Sequence, residues 1–142
     1  MLTDRMHQAL NDQLQAEFYS AYLYLSMSAY FESEGLPGFA AWMRVQAQEE
    51  LYHGMKMYDY VNERGGRVTL KEIGAPQTKW KSALDAFETA LKHEQGVTER
   101  IDKMMDMAIK ERDHASASFL QWFVDEQVEE EKTAGEILDM FT

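Results

Sequence analysis

Apolar positions recur with a helical period in four long stretches of the chain. From Asp4 to about Glu34 the inward row is Leu10, Leu14, Glu17, Ala21, Tyr24 and Ser28, with Phe18 and Leu25 beside it. Gly35-Leu36-Pro37-Gly38 breaks that run, and Pro37 suits the first turn of a second helix reaching about Arg64. Its row is Phe39, Met43, Gln46, Glu50, His53, Met57 and Tyr60, and Gly65-Gly66 closes it as a C-terminal cap pair. Residues 65–81 lose the period. Gly65, Gly66, Gly74 and Pro76 mark a long connection there, in which Arg67-Val68-Thr69-Leu70 is extended at most. Ser82 with Asp85 three residues on predicts a capping box at the start of a third helix, about 83–111. That helix carries the row Phe87, Ala90, Glu94, Val97, Ile101, Met104 and Ala108. After a short hinge at Arg112-Asp113, a fourth helix over about 114–140 carries Leu120, Phe123, Gln127, Glu130, Ala134, Ile137 and Phe141.

Helices of about 27 to 31 residues are about 40 Å long. The short turns make the first and second, and the third and fourth, antiparallel neighbours. A connection as long as 65–81 can cross from one end of a bundle to the other. The fold class expected is all-α: a four-helix bundle with one long crossover between helices two and three, forming a single domain over residues 1–142.

Composition narrows the chemistry. The chain has no cysteine, which excludes disulfides, iron–sulfur clusters, thiolate zinc and thiol catalysis together. Its net charge is −11, from 25 acidic against 14 basic residues. Phosphate backbones need a basic face, so no nucleic acid is expected as a partner, and cations are the natural guests. No apolar run approaches the roughly 20 residues that span a bilayer, and the N-terminus lacks the pattern of a signal peptide. No membrane association and a cytoplasmic location are therefore expected. The ten methionines read as core fillers rather than copper or haem ligands.

Each inward row is interrupted near its middle by a group able to bind metal. The first helix gives Glu17, the second Glu50 and His53, the third Glu94, and the fourth Gln127 and Glu130. Glu50 and His53 are i and i+3, so they share a face about one turn apart. In antiparallel helices of matched length, mid-helix positions fall at similar depth, so these groups should converge. Buried carboxylates gathered without a cation would repel one another and raise each other's pKa. Hard oxygen ligands with one imidazole suit iron or manganese better than copper. Four carboxylates can balance two divalent ions, with Glu50 the expected bridge. His7, His93 and His114 lie off the converging set and read as surface residues.

Several segments together resemble the non-haem ferritins of bacteria and archaea. They are Glu17-Phe18-Tyr19-Ser20-Ala21-Tyr22-Leu23-Tyr24, Trp42-Met43-Arg44, Glu49-Glu50-Leu51-Tyr52-His53 and Arg64-Gly65-Gly66-Arg67. Phe119-Leu120-Gln121-Trp122-Phe123 and Glu126-Gln127-Val128-Glu129-Glu130-Glu131 complete the set. The resemblance implies a ferritin-like bundle and an iron-storage ferroxidase that oxidises Fe²⁺ with dioxygen or hydrogen peroxide. It implies two irons at the ferroxidase centre, one on Glu17, Glu50 and His53 and the other on Glu50, Glu94 and Glu130. Gln127 would sit beside the pair, and Tyr24 would hydrogen-bond a ligand and donate an electron. A third iron position would use Glu49, Glu126, Glu129 and Glu130. A homo-oligomer, a shell of 24 subunits, is expected on the same ground. The family's usual short fifth helix would follow the last residue, Thr142, so the resemblance bears on the bundle and its centre more than on shell contacts.

Bacterioferritin differs in carrying a second Glu-x-x-His on its fourth helix and a methionine haem ligand next to its first. Here the fourth helix has no such histidine and position 52 is Tyr, so no haem is expected. Rubrerythrin-type peroxidases usually add a cysteine-ligated iron. Two other readings stay open: a di-metal oxygenase or peroxidase on the same bundle, and an acidic bundle with a purely structural role.

Overall fold

A computed structural model describes residues 1–141 and places in them four α-helices and, among those residues, no strand. They are α1 (Asp4–Ser33), α2 (Pro37–Glu63), α3 (Ala83–Lys110) and α4 (His114–Asp139). All four begin where the periodicity starts, and each ends one residue before the expected limit. The chain divides into two compact units, Met1–Trp80 and Lys81–Thr142.

The early endings share a cause. Gly35 (φ +72°) and Gly65 (φ +77°) adopt the left-handed conformation just past α1 and α2. Leu36 N–H then donates to the Phe31 carbonyl (2.9 Å) and Gly66 N–H to the Val61 carbonyl (2.9 Å), closing the last turns. α3 ends by the same device, with Asp113 N–H donating to Ala108 O at 2.9 Å, but its left-handed residue is Arg112 at φ +58°. The helix starts are capped by side chains. Thr3 accepts from Met6 N, Ser82 from Asp85 N and Asp113 from Ser116 N, each at 3.1 Å and worth about 1 kcal/mol. The reciprocal half of the expected capping box is displaced by one residue, because Asp85 Oδ2 accepts from Lys81 N–H at 2.9 Å.

In the first unit α1 and α2 form a hairpin. Met6, Leu10, Leu14, Met27 and Phe31 of α1 and Met43, Met57 and Val61 of α2 are buried. The Ser28 hydroxyl donates to the Ala40 carbonyl at 2.7 Å near the turn. Further along, α2 comes so close to α1 that a Cβ built on Gly54 would overlap the Phe18 ring. Leu25, expected beside the inward row, is instead 49% exposed. It lines an outward groove of about 610 Å³ with Phe18, Tyr22, Leu51 and Ile73.

The long connection runs along α1. His7 Nε2 lies 2.8 Å from Arg67 O, Asn11 Oδ1 accepts from Thr69 N (2.8 Å), and Ser26 Oγ donates to Gln77 O (2.7 Å). The Trp80 ring then packs on Tyr30 with centroids 5.4 Å apart. An extended segment from 67 to 80 reaches about 43 Å, enough to return along the roughly 35 Å of α1 between residues 7 and 30. His7 is thus a strap for the connection rather than a bare surface residue; His93 is half-buried and His114 exposed.

In the second unit every residue of the predicted α3 row is buried. On α4, Leu120, Phe123, Gln127, Glu130 and Ala134 are buried and Ile137 is half-buried, whereas Phe141, expected on the same row, lies past the helix end and is 36% exposed. Among the described residues no helix is long and apolar enough to cross a membrane.

Candidate metal centre

The mid-helix polar groups are buried. Relative exposure is 1% for Glu17, 1% for Glu50, 2% for His53, 3% for Glu94, 2% for Gln127 and 9% for Glu130. Leaving carboxylates this dry without compensation costs several kcal/mol each, so what surrounds them matters.

In the first unit Glu17, Glu50 and His53 face one another, with one ligand atom from each lying within 4.8 Å of the others. His53 Nδ1 is 3.2 Å from Glu50 Oε2 and 3.6 Å from Glu17 Oε2. Glu17 Oε1 accepts from the buried Gln13 amide at 2.9 Å, while its Oε2 accepts no hydrogen bond. Burial is the largest influence on the Glu17 carboxyl and pushes its pKa up. The neighbouring His53 and Glu50 side chains, the His53 charge and the Gln13 bond together outweigh that, and the group sits below its ordinary range. Glu17 is therefore an anion at neutral pH with an oxygen to spare. Metal–ligand distances of about 2.1 Å put neighbouring ligand atoms about 3–4 Å apart, close to the spacing here. Two anionic oxygens and an imidazole nitrogen are a donor set that fits a divalent iron.

In the second unit Gln127 couples α4 to α3. Its Nε2 donates to Glu94 Oε2 (3.2 Å) and to Thr98 Oγ1 (3.1 Å), and lies 3.2 Å from Glu94 O. Glu130 follows Gln127 by three residues and is buried on the same row. The remaining predicted residues are placed individually. Tyr24 is buried on α1, about two turns beyond Glu17; Glu49 and Glu129 are exposed; Glu126 is half-buried. Trp122 packs edge-on against Phe123 with centroids 5.0 Å apart, a packing role.

Two residues that touch this machinery were not singled out from the sequence. Gln13 lies four residues before Glu17 and Thr98 four after Glu94, so i,i+4 spacing from a suspected ligand is the signal that finds them.

The ferritin-like domain family matches this chain over residues 7–142. The chain belongs to the ferritin family. It is 46% identical over 133 residues to a bacterial non-heme ferritin of Staphylococcus haemolyticus, covering 94% of this chain and 80% of that protein. A bacterial non-heme ferritin of Bacteroides fragilis is 45% identical over 139 residues, covering 98% and 87%. Among solved structures, an open pore ferritin from the hyperthermophilic archaeon Archaeoglobus fulgidus matches with a TM-score of 0.97 at 55% identity, covering 98% of this chain and 86% of that one. A Chlorobium tepidum ferritin matches at 0.96 with 40% identity, covering 98% and 85%. The fold class is thus the all-α four-helix bundle of the ferritins, and family and fold support iron storage as the function.

Proposed function

We propose that this ferritin oxidises its iron before storing it, at a two-iron ferroxidase centre inside each subunit, the two units acting as one domain. Glu17, Glu50 and His53 hold one Fe²⁺. Glu50 reaches a second, which Glu94 and Glu130 complete. The observation that carries this reading is the dry cluster of Glu17, Glu50 and His53, in which an anionic carboxylate keeps one oxygen without a hydrogen bond. Iron is substrate and cargo here. Two ferrous ions give up two electrons, which take dioxygen to hydrogen peroxide or hydrogen peroxide to water. The ferric product passes to a mineral within a homo-oligomeric shell of 24 subunits in the cytoplasm.

The chain's own groups supply charge, geometry and proton handling. His53 must present an unprotonated Nδ1 to an ion, so any proton that Nδ1 shares with Glu50 leaves on loading. Gln13 holds Glu17 by one oxygen and leaves the other for the ion. Gln127 holds Glu94 by its Oε2. Anionic oxygens favour the ferric over the ferrous state, which is how the site drives the oxidation. Tyr24 hydrogen-bonds a ligand and donates an electron, a role supported by the family resemblance and by its burial on α1. Glu49, Glu126 and Glu129, with Glu130, supply a third iron position.

Glu50→Ala tests the centre. It removes a ligand from both ions and is expected to abolish rapid ferrous oxidation in stopped-flow absorbance while far-UV circular dichroism stays helical. Wild-type rates in a folded Glu50→Ala protein would refute the assignment.

A further inference from the structure

A threonine hydroxyl four residues past a glutamate on a helix usually does no more than donate to the glutamate's carbonyl. Thr98 Oγ1 is indeed 3.0 Å from Glu94 O. It also lies 2.5 Å from Glu131 Oε2 on α4 and 3.1 Å from Gln127 Nε2. A hydroxyl has one proton to give. The carboxylate is nearer and charged, so it takes that proton in preference to the carbonyl. The hydroxyl oxygen is then an acceptor on its Gln127 side.

This fixes which way round the Gln127 amide sits. Its nitrogen must face Thr98, and the second N–H of that nitrogen is the one that meets Glu94 Oε2 at 3.2 Å. With the amide turned over, its oxygen would oppose both the Thr98 oxygen and the Glu94 carboxylate, acceptor against acceptor. Donation therefore runs outward from the Gln127 amide, on one side through Thr98 to the half-buried Glu131 and on the other directly to the buried Glu94. Glu94 Oε2 is thereby held by the Gln127 amide.

Building on the reading of Glu94 as an iron ligand, we propose that Thr98 is a positioning residue of the iron site. It holds, through Gln127, the Glu94 carboxylate in place for the ion, and Glu131 sets the polarity of the chain of bonds. Partners that orient metal ligands in this way are typically worth 10- to 100-fold in affinity.

The test is a calorimetric titration of the metal-free protein with Zn²⁺ as a redox-silent stand-in for Fe²⁺, alongside a thermal melt. Thr98→Val keeps the shape and removes the hydroxyl. It should weaken, about 10- to 100-fold, the same class of sites that Glu94→Ala abolishes, and leave the other class unchanged. Thr98→Ser should restore near-wild-type affinity, and Glu131→Ala should weaken the same class as Thr98→Val. If Thr98→Val does not fold, Thr98→Ala removes the hydroxyl without adding bulk. A hydroxyl-free variant that binds Zn²⁺ as the wild type does, with only its melting temperature moved, would overturn the proposal in favour of a helix-packing role. So would equal losses in the serine and valine variants. A wild-type protein that takes up no Zn²⁺ would instead sink the two-iron reading itself, a result distinguishable from parity between variants.

Discussion

Gly54 is the position at which packing between α1 and α2 meets the chemistry, since it follows His53 directly. A Cβ there would overlap two atoms of the Phe18 ring, so Gly54→Ala forces the ring out of place or the helices apart. Overpacking of this kind costs about 2–3 kcal/mol. Against it, alanine gains about 1 kcal/mol over glycine inside a helix. The net expectation is a loss of about 1–2 kcal/mol, or roughly 3–6 °C in melting temperature for a chain of this size. The sign should reverse when the ring is gone. In a Phe18→Ala background the same substitution keeps only its helix-propensity gain and should stabilise by about 1 kcal/mol. The double-mutant cycle then yields a coupling of about 2–3 kcal/mol. Calorimetric melts of the four metal-free proteins at matched concentration measure it. A companion Zn²⁺ titration reports which element gives way. If the ring swings into the outward groove, affinity at Glu17, Glu50 and His53 holds; if the helices part, it falls. A cycle that closes to within about 0.5 kcal/mol would refute the argument, because it would mean the two residues do not compete for one space.

Two further outcomes follow from the geometry. The Glu17 carboxyl is depressed in the folded protein, so its contribution to stability is fully present above its ordinary value of 4.5 and is lost as pH falls through the lower folded value. The stability difference between wild type and Glu17→Gln, measured by denaturant melts of the metal-free protein, should therefore shrink steadily below about pH 4.5; a difference independent of pH in that window would refute it. Arg112 holds a left-handed φ of +58° that costs an L-residue about 1 kcal/mol, so Arg112→Gly should raise stability by about 0.5–1 kcal/mol, and a lower melting temperature would count against the cap assignment.

What could be read from the sequence follows from how each residue offends its surroundings. Glu17, Glu50, His53, Glu94, Gln127 and Glu130 were legible because each breaks the apolar period of its own helix, and all six are buried. The helix starts were legible because a proline at Pro37 and a capping serine at Ser82 act locally. Gln13, Thr98 and Gly54 break nothing. A glutamine or threonine in an amphipathic helix is usually a solvated residue, and a single glycine in a helical run usually reads as a small propensity penalty. Their roles depend on where their partners point: a Glu17 oxygen, the Gln127 amide and Glu131 carboxylate on another helix, or the ring of Phe18. Periodicity along one helix carries no information about such pairings. Leu25 shows the opposite failure, because an apolar residue beside the inward row was taken for core and instead lines an outward groove. Ligand identity is thus inscribed within single helices, whereas ligand orientation is set by pairs of groups, and in Thr98 and Gln127 that pair joins two helices. Variants at those pairing positions should accordingly change how tightly iron is held while leaving the ligand set itself intact.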